Sequence, residues 1–195
     1  MSTNYAKAET LVGAVVAPRD WTRSALVVVG FSLLTAAAAQ VSVPLPFTPV
    51  PLTGQTFAVL LTGALLGPRL GALAMIAYLA EGAAGLPFFQ GGAAGYAHLS
   101  GATAGYLLAF PAAAYVTGHL TERGWDRRFL SAAAAMALGS LVILACGWAW
   151  LALMFKGGAA AFWLGVAPFL PGDVVKVALA AAVLPTGWAL LRRLK

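Results

Sequence analysis

Residues 65–73, LLGPRLGAL, interrupt a long apolar run with a glycine, a proline and an arginine in direct succession. A Gly-Pro pair breaks a helix, because glycine is flexible and proline has no backbone N–H to donate. One continuous helix over residues 53–84 would carry Arg69 near the middle of a membrane span, where a charge is costly. The stretch therefore predicts two short helices, 53–66 and 70–84, in place of one long helix.

The composition of the whole chain is that of a membrane protein. Of its 195 residues, 61% are hydrophobic and only 9% are charged, and the mean hydropathy is +0.86. A soluble domain has about 25% charged residues, so this chain has too little polar surface to cover a particle in water. Lipid as the solvent of the outer face explains this composition, and the length fits one domain.

The apolar segments on both sides of the Gly-Pro break predict an all-α fold. This fold is an integral membrane bundle of six transmembrane helices. A helix needs roughly 20 apolar residues to cross the hydrocarbon core, and fewer where loops cover its ends. The six predicted helices cover residues 24–43, 53–66, 70–84, 103–120, 130–155 and 171–191. Small residues four apart, Thr35 with Ala39 and Gly101 with Gly105, allow close helix packing inside the bundle or against a partner.

The basic residues predict the orientation, because cytoplasmic segments of membrane proteins are rich in Lys and Arg. Six crossings place ten of the twelve basic residues on the side of the N-terminus: Lys7, Arg19, Arg23, Arg69, Arg123, Arg127, Arg128, Arg192, Arg193 and Lys195. Both termini are therefore predicted to be cytoplasmic, with a cytoplasmic segment over 1–23 and the membrane domain over 24–195. The same distribution explains the net charge of +6 without nucleic acid as a partner.

Three links are predicted on the outer side: 44–52 (PLPFTPVPL), 85–102 (GLPFFQGGAAGYAHLSGA) and 156–170 (KGGAAAFWLGVAPFL). They are rich in glycine, proline and aromatic residues and nearly uncharged, whereas solvated loops are normally polar. They either pack on the bundle as a lid over a ligand site or lie in the lipid interface, where aromatic residues gather. We favour the lid.

Asp173, Lys176 and Glu81 are ionisable residues within or beside predicted spans, and such residues are functional hypotheses by default. Their spacing puts Asp173 and Lys176 on one helix face, close enough to pair. In a structural interpretation, Asp173 complements the helix dipole, Lys176 is its counter-ion, and Glu81 ends its helix. In a functional interpretation, Asp173 accepts and Lys176 donates hydrogen bonds in an outward-opening cavity. Such a pair matches a cyclic urea or amide better than a bare carboxylate.

The remaining polar residues point to binding without catalysis. Gln55 and Gln90 lie beside the outer links and either satisfy loop backbone or contact a ligand. Two histidines, His98 and His119, and one cysteine are too few for a metal site, and we expect Cys146 to be a small buried apolar residue. The chain has no P-loop, serine elbow or HExxH motif, so an ATPase that drives transport would be another chain.

Three stretches resemble the BioY family: 49–92 (PVPLTGQTFAVLLTGALLGPRLGALAMIAYLAEGAAGLPFFQGG), 101–118 (GATAGYLLAFPAAAYVTG) and 169–181 (FLPGDVVKVALAA). BioY proteins are the biotin-binding S components of energy-coupling factor (ECF) vitamin transporters. The resemblance implies a six-helix fold that binds biotin near the outer face under the outer loops. It also implies a transmembrane T component and two ATPase subunits as partners, in the cytoplasmic membrane of a bacterium.

The resemblance also implies site residues. Asp173 and Lys176 fall in its PGDxxK element, and the GLPFFQGG segment, which includes Gln90 and Gly91, also lines the site in the family. The ureido ring of biotin is a cyclic urea, in agreement with the predicted clamp, and its thiophane ring and valeryl chain suit an apolar lining that includes Phe88. The predicted binding residues are Asp173, Lys176, Gln90, Gly91, Glu81, Gln55, Tyr96, Tyr106 and Phe89, with no metal and no cofactor besides biotin as the transported ligand.

The sequence leaves alternatives for the assembly and for the transport mechanism. Some BioY-like proteins are thought to work without dedicated partners, and a homo-oligomer is an alternative assembly. A second hypothesis is a proton-coupled carrier in which Glu81 and Asp173 titrate. An integral-membrane enzyme is disfavoured, because the chain has no recognisable nucleophile–base pair.

Overall fold

The computed structural model describes residues 10–16, 20–154 and 157–193, which are mostly helical. The helices are α1 (Leu11–Val15), α2 (Trp21–Gln40), α3 (Gln55–Leu66), α4 (Pro68–Ala83), α5 (Ala104–Glu122), α6 (Phe129–Met154), α7 (Gly158–Gly165) and α8 (Leu170–Arg193). Strands β1 (Ser42–Val43) and β2 (Leu52–Thr53) form an antiparallel pair, with Ser42 opposite Thr53 and Val43 opposite Leu52. Three 3₁₀ turns lie at Gln90–Gly92, Tyr96–Ser100 and Trp125–Arg127.

All six segments predicted as helices are helical, with ends that differ by a few residues. Within the described residues, three helices are long and apolar enough to cross a bilayer by length and composition, namely α2, α6 and α8, and α3 is a shorter apolar helix. Helices α1 and α7 and the two short strands were not predicted from the sequence. The predicted end of one helix at Phe155 and the charges of Lys7, Arg19, Lys156 and Lys195 lie outside the described residues.

The break in LLGPRLGAL is confirmed. Gly67 has a φ of +82°, a left-handed backbone conformation that glycine adopts without steric cost. Its N–H still donates to the Gly63 carbonyl 2.9 Å away, which ends α3. Pro68 then takes the first position of α4, where its missing N–H has no partner to lose. The chain therefore turns between two helices at the predicted place.

Helix α5 is the centre of the bundle, since it packs against α3, α4 and α6, while α2 covers α4 and α8 packs on α6. Small residues let these helices approach closely. A Cβ built on Gly105 in α5 would lie 2.3 Å from the Cβ of Trp150 in α6. Thr35 and Ala39 of α2 are fully buried. Both small-residue pairs from the sequence therefore serve contacts inside the bundle.

One prediction about the core is wrong, because the Cys146 side chain is exposed on α6. Its neighbours Ile143 and Gly147 are buried against the other helices. A helix in lipid is apolar on all sides, so hydrophobicity alone does not separate its inner face from its outer face.

Candidate functional site

A cavity with about 640 Å³ of space unoccupied by atoms, part of it open to solvent, lies among α3, α5, α6 and α8. Each of the three predicted outer links contributes to its wall: Val50 and Pro51 from the first, Gln90 and His98 from the second, and Phe169 from the third. The other lining residues come from the helices and their starts: Thr53, Gln55, Thr56, Thr103, Tyr106, Leu107, Phe110, Ser140, Ile143, Leu144, Asp173 and Lys176. All three predicted outer links and four helices therefore contribute to the wall of one concave space, the kind of feature in which small molecules bind.

Asp173 lines this cavity from the first turn of α8. Its backbone N–H donates to the Phe169 carbonyl at 2.8 Å, so α8 begins beside the cavity. Its Oδ2 accepts a hydrogen bond from the Ser140 hydroxyl of α6. A carboxylate at the start of a helix is favoured by the helix dipole. Further lone pairs of this carboxylate are left to accept a donor from a ligand.

Lys176 lines the cavity one turn further along α8. Its Nζ donates to the Thr53 carbonyl at 2.6 Å and to the Thr56 hydroxyl at 2.8 Å. An ammonium has three N–H donors, so one remains for a ligand. Asp173 and Lys176 therefore share the cavity, but each has its own protein partner, and they are not among the ion pairs within 4.0 Å that the described residues form.

Gln55 is buried in the cavity wall and connects α3 to the second outer link. Its Nε2 donates to the Tyr78 hydroxyl, and its Oε1 accepts from the Thr53 hydroxyl at 3.0 Å. The Tyr78 hydroxyl donates in turn to the Phe88 carbonyl at 3.2 Å. The amide of Gln55 is therefore already engaged within the protein.

The second outer link is held on the bundle at both ends. The Gln40 side chain at the end of α2 donates to the Phe89 carbonyl at 3.2 Å and accepts from the Gly92 N–H at 3.0 Å. The Trp150 indole of α6 donates to the Gly101 carbonyl at 2.9 Å. The link therefore packs on the helices, and between these anchors it supplies part of the cavity wall.

The predicted residues divide in two by their position. Asp173, Lys176, Gln55, Gln90 and Tyr106 line the cavity. Four others lie outside the lining and remain predictions as ligand contacts: Glu81, Gly91, Tyr96 and Phe89.

Those four have other surroundings. Glu81 accepts a hydrogen bond from the Ser32 hydroxyl at 2.7 Å. Gly91 has a φ of +66°, which lets the link turn. Tyr96 is 77% exposed, while Phe89 is fully buried, and its ring meets Tyr78 edge-on.

Four hydroxyl residues of the lining were not predicted from the sequence, namely Ser140, Thr53, Thr56 and Thr103. Each is a common polar residue with no local motif, and hydroxyl residues also occur inside membrane helices for packing. His98 was considered only as a metal ligand. No group of three or more His, Cys, Asp or Glu side chains that could hold a metal ion occurs in the part of the chain that the structure describes.

Comparison with known proteins identifies the family of this chain. The BioY family model matches residues 5–193. The probable biotin transporter BioY of Pyrococcus horikoshii is 45% identical over 153 residues, which are 78% of this chain and 88% of that protein. The biotin transporter BioY of Rhizobium etli is 35% identical over 157 residues, 77% of this chain and 84% of that protein.

A solved structure shows the same fold. The crystal structure of the S-component for biotin from an ECF-type ABC transporter superposes with a TM-score of 0.78 at 23% identity. The match covers 88% of this chain and 92% of that one. With the family model spanning nearly the whole sequence, the chain belongs to the BioY family.

Proposed function

We propose that this protein captures biotin at the outer face of the cytoplasmic membrane of a bacterium and serves biotin uptake as the S component of an ECF transporter. The observation that carries the proposal is the presence of Asp173 and Lys176 in the wall of one loop-covered cavity. The protein is a transporter component and not an enzyme, in keeping with its BioY relatives.

The polar chemistry of the cavity matches a cyclic urea. A urea has one carbonyl oxygen, which accepts hydrogen bonds, and two N–H groups, which donate them. The free N–H of Lys176 would donate to that carbonyl, and the carboxylate of Asp173 would accept from a urea N–H. Their protein partners, Ser140 for Asp173 and Thr53 with Thr56 for Lys176, hold both groups in position.

The rest of the wall suits the apolar part of biotin. Tyr106, Phe110 and Phe169 line the cavity beside aliphatic residues, and the Tyr106 hydroxyl is engaged by the Gly165 carbonyl at 2.6 Å. The aromatic rings therefore offer apolar surface to the thiophane ring and the valeryl chain. Small-molecule sites commonly combine such a lining with a few fixed polar groups.

The arrangement in the membrane is also part of the proposal. It comprises six crossings, both termini in the cytoplasm, and assembly with a T component and two ATPase subunits. It is supported by the excess of basic residues on one side and by the absence of a P-loop in the sequence. Biotin is the transported ligand, and no further cofactor is proposed.

Calorimetry with biotin on the purified protein in detergent tests the site. Asp173→Asn and Lys176→Met each remove one charged hydrogen-bond partner, and a hydrogen bond to a charged group contributes about 1.5–3 kcal/mol. We expect biotin affinity to fall about ten- to hundredfold in each variant. Asp20→Asn, an exposed acid that pairs with Arg23 at the start of α2, should bind like the wild type. Wild-type affinity in both site variants would end the proposal.

The proton-coupled alternative is separated from ATP-driven uptake by an experiment in cells. It assigns titration to Glu81 and Asp173, but Glu81 lies outside the cavity lining. Biotin uptake in cells that express the protein with its ECF partners should follow the ATP level. Uptake that collapses with an uncoupler while ATP is maintained, in cells without a partner ATPase, would favour the carrier instead.

A further inference from the structure

The polar residues of the cavity wall fall into two groups. The first group is engaged within the protein: Asp173 with Ser140, Lys176 with Thr53 and Thr56, and Gln55 with Tyr78. The second group comes from the second outer link and the start of α5, and comprises Gln90, His98 and Thr103. We call these three residues the loop-side polar group.

The loop-side polar group has hydrogen-bonding capacity to spare. Within residues 10–16, 20–154 and 157–193, the Gln90 side chain makes no hydrogen bond. The only side-chain hydrogen bond of His98 and Thr103 in the same residues is the one between them, with 3.5 Å between Nε2 and Oγ1. The three residues can present an amide N–H, an imidazole N–H and a hydroxyl to a ligand. Such a set of donors fits an acceptor with several lone pairs.

The imidazole of His98 is held in the wall by its neighbours. Its ring stacks on the buried Phe89 ring, with 5.0 Å between centroids and 15° between planes. Its backbone is part of the Tyr96–Ser100 turn, in which the His98 N–H donates to the Gly95 carbonyl at 3.2 Å. The ring is therefore positioned before a ligand arrives, which lowers the entropy lost on binding.

The charge distribution favours an anion beside this group. Among the described residues, Asp173 is the only acid in the cavity lining, and it lies on α8, whereas the loop-side polar group contains no acid. Lys176, the one lysine or arginine among the described lining residues, already has two protein acceptors and Asp173 on the same helix. A ligand with a neutral head and a carboxylate tail would therefore place its head at α8 and its tail at His98.

We propose that His98, with Gln90 and Thr103, binds the carboxylate of the transported ligand, and that His98 takes up a proton when this carboxylate binds. This inference rests on the proposed function, since biotin has a cyclic urea at one end and a carboxylate at the other. It adds a second polar subsite and a pH dependence to that function.

The direction of the pH dependence follows from the environment of His98. Burial lowers the pKa of the imidazole from its ordinary value, so His98 is neutral near pH 7 in the free protein. A carboxylate beside it favours the protonated form. Binding is then linked to proton uptake, and affinity rises as the pH falls, by at most about tenfold per pH unit for one proton.

Other titratable groups near His98 have to be separated from it. The Tyr96–Ser100 turn packs against α4 and α5. Their titratable residues toward this end are Tyr78, Glu81 and Tyr106, the turn itself carries Tyr96, and the cavity adds Asp173 and Lys176. Of these, Glu81 and Asp173 are the acids, and a variant of His98 itself separates the histidine from them.

The experiment is calorimetry of the purified full chain with biotin and with biotinamide, its uncharged amide, between pH 6 and pH 8. For the wild type we expect biotin to bind about five- to tenfold more tightly at pH 6 than at pH 8, since one proton is linked. Biotinamide should bind with the same affinity at both pH values. Titrations in buffers of different ionisation enthalpy should report proton uptake with biotin only.

His98→Gln keeps a hydrogen-bond donor but cannot be protonated, so it should lose the pH dependence and the proton uptake. His119→Gln is the matched control, because His119 stacks on Tyr115 at the far end of α5 and lies outside the cavity lining. It should behave like the wild type.

Two results would overturn the inference while leaving biotin capture intact. One is an unchanged pH dependence in His98→Gln, and the other is an equal pH dependence for biotinamide on the wild type. The second result is measured on the wild-type protein, so it does not depend on whether a variant folds. A wild-type protein that binds no biotin at any pH would instead overturn the proposed function together with this inference.

Discussion

Asp126 is a buried acid outside the cavity lining, and it shows how one side chain joins parts of the fold that are distant in sequence. It lies in the Trp125–Arg127 turn between α5 and α6 and is fully buried. Its Oδ2 accepts from the Trp188 indole of α8, and its Oδ1 lies 3.4 Å from Arg127 Nε. The Arg127 guanidinium in turn lies 3.5 Å from the centre of the Trp188 ring. Burial raises the pKa of Asp126, and these neighbours partly oppose that effect.

The variant Trp188→Phe tests how much the hydrogen bond between Trp188 and Asp126 contributes to stability. Phenylalanine keeps an aromatic ring but has no N–H, so the buried Asp126 carboxyl group loses a hydrogen-bond donor. Such a loss lowers the free energy of unfolding by about 1–3 kcal/mol. We expect a clear fall in the midpoint of thermal unfolding in detergent. Trp148→Phe is the matched control, because the exposed Trp148 indole donates to the Gly158 carbonyl at 2.9 Å, and it should change stability by less than about 0.5 kcal/mol. Equal shifts of the unfolding midpoint in the two variants would show that the hydrogen bond from Trp188 to Asp126 does not stabilise the fold.

Helix packing in this protein depends on where its glycines lie. Gly63 of α3 faces α5 so closely that a Cβ built on it would lie 2.3 Å from the Ala114 carbonyl oxygen. Gly118 of α5 contacts the break between α3 and α4, with 2.4 Å from its built Cβ to the Gly67 carbonyl carbon. Gly30 of α2, by contrast, has no neighbour within 4 Å of its built Cβ. The same residue type is therefore required at one helix contact and unnecessary at another.

Two glycine-to-alanine variants should consequently shift stability in opposite directions. Gly63→Ala forces α3 and α5 apart, and overpacking of this kind costs about 1–3 kcal/mol. Gly30→Ala meets free space and should stabilise its helix by about 0.5–1 kcal/mol. Thermal unfolding of both variants in the same detergent gives the comparison. A Gly63→Ala protein as stable as Gly30→Ala would contradict the close approach of α3 and α5 at Gly63.

On the scale of the whole molecule, the outer links and the helix starts enclose the cavity together. Gln40 and Trp150 anchor the second link, and the Thr48 hydroxyl of the first link donates to the Leu164 carbonyl of α7 at 2.6 Å. These contacts fit a lid better than loops lying loosely in the lipid interface. A ligand that enters the cavity on the side of these links therefore has to pass segments that are tied to the bundle.

The proposed orientation leads to a labelling test of α5, which connects the second outer link to the Arg123 end of the bundle. In a Cys146→Ala background, Ala94→Cys should react with a membrane-impermeant maleimide in intact cells. Arg123→Cys should react only after the membrane is permeabilised. Both positions are exposed, so access to the reagent and not burial decides the result. The reverse pattern, or equal labelling in intact cells, would contradict six crossings with cytoplasmic termini.

The sequence by itself determined the membrane class, the approximate helix ends and the break at Gly67 and Pro68. These are properties of composition and of neighbouring residues, which act before any long-range contact forms. It also singled out Asp173 and Lys176, because two charges in an apolar run are visible without a structure. Gln90 stood out as an amide beside an outer link, and the family resemblance added Gly91; of the two, only Gln90 lies in the cavity lining.

Only the tertiary structure decided which groups meet. Ser140 lies 33 residues from Asp173, and Thr56 lies 120 residues from Lys176, so no local pattern could pair them. The same holds for His98, whose place in the cavity wall depends on Phe89 beneath its ring, and for Cys146, which faces outward on a helix that is apolar all round. In lipid both faces of a helix are apolar, so the direction of each side chain is set by packing between helices, which a linear sequence does not contain.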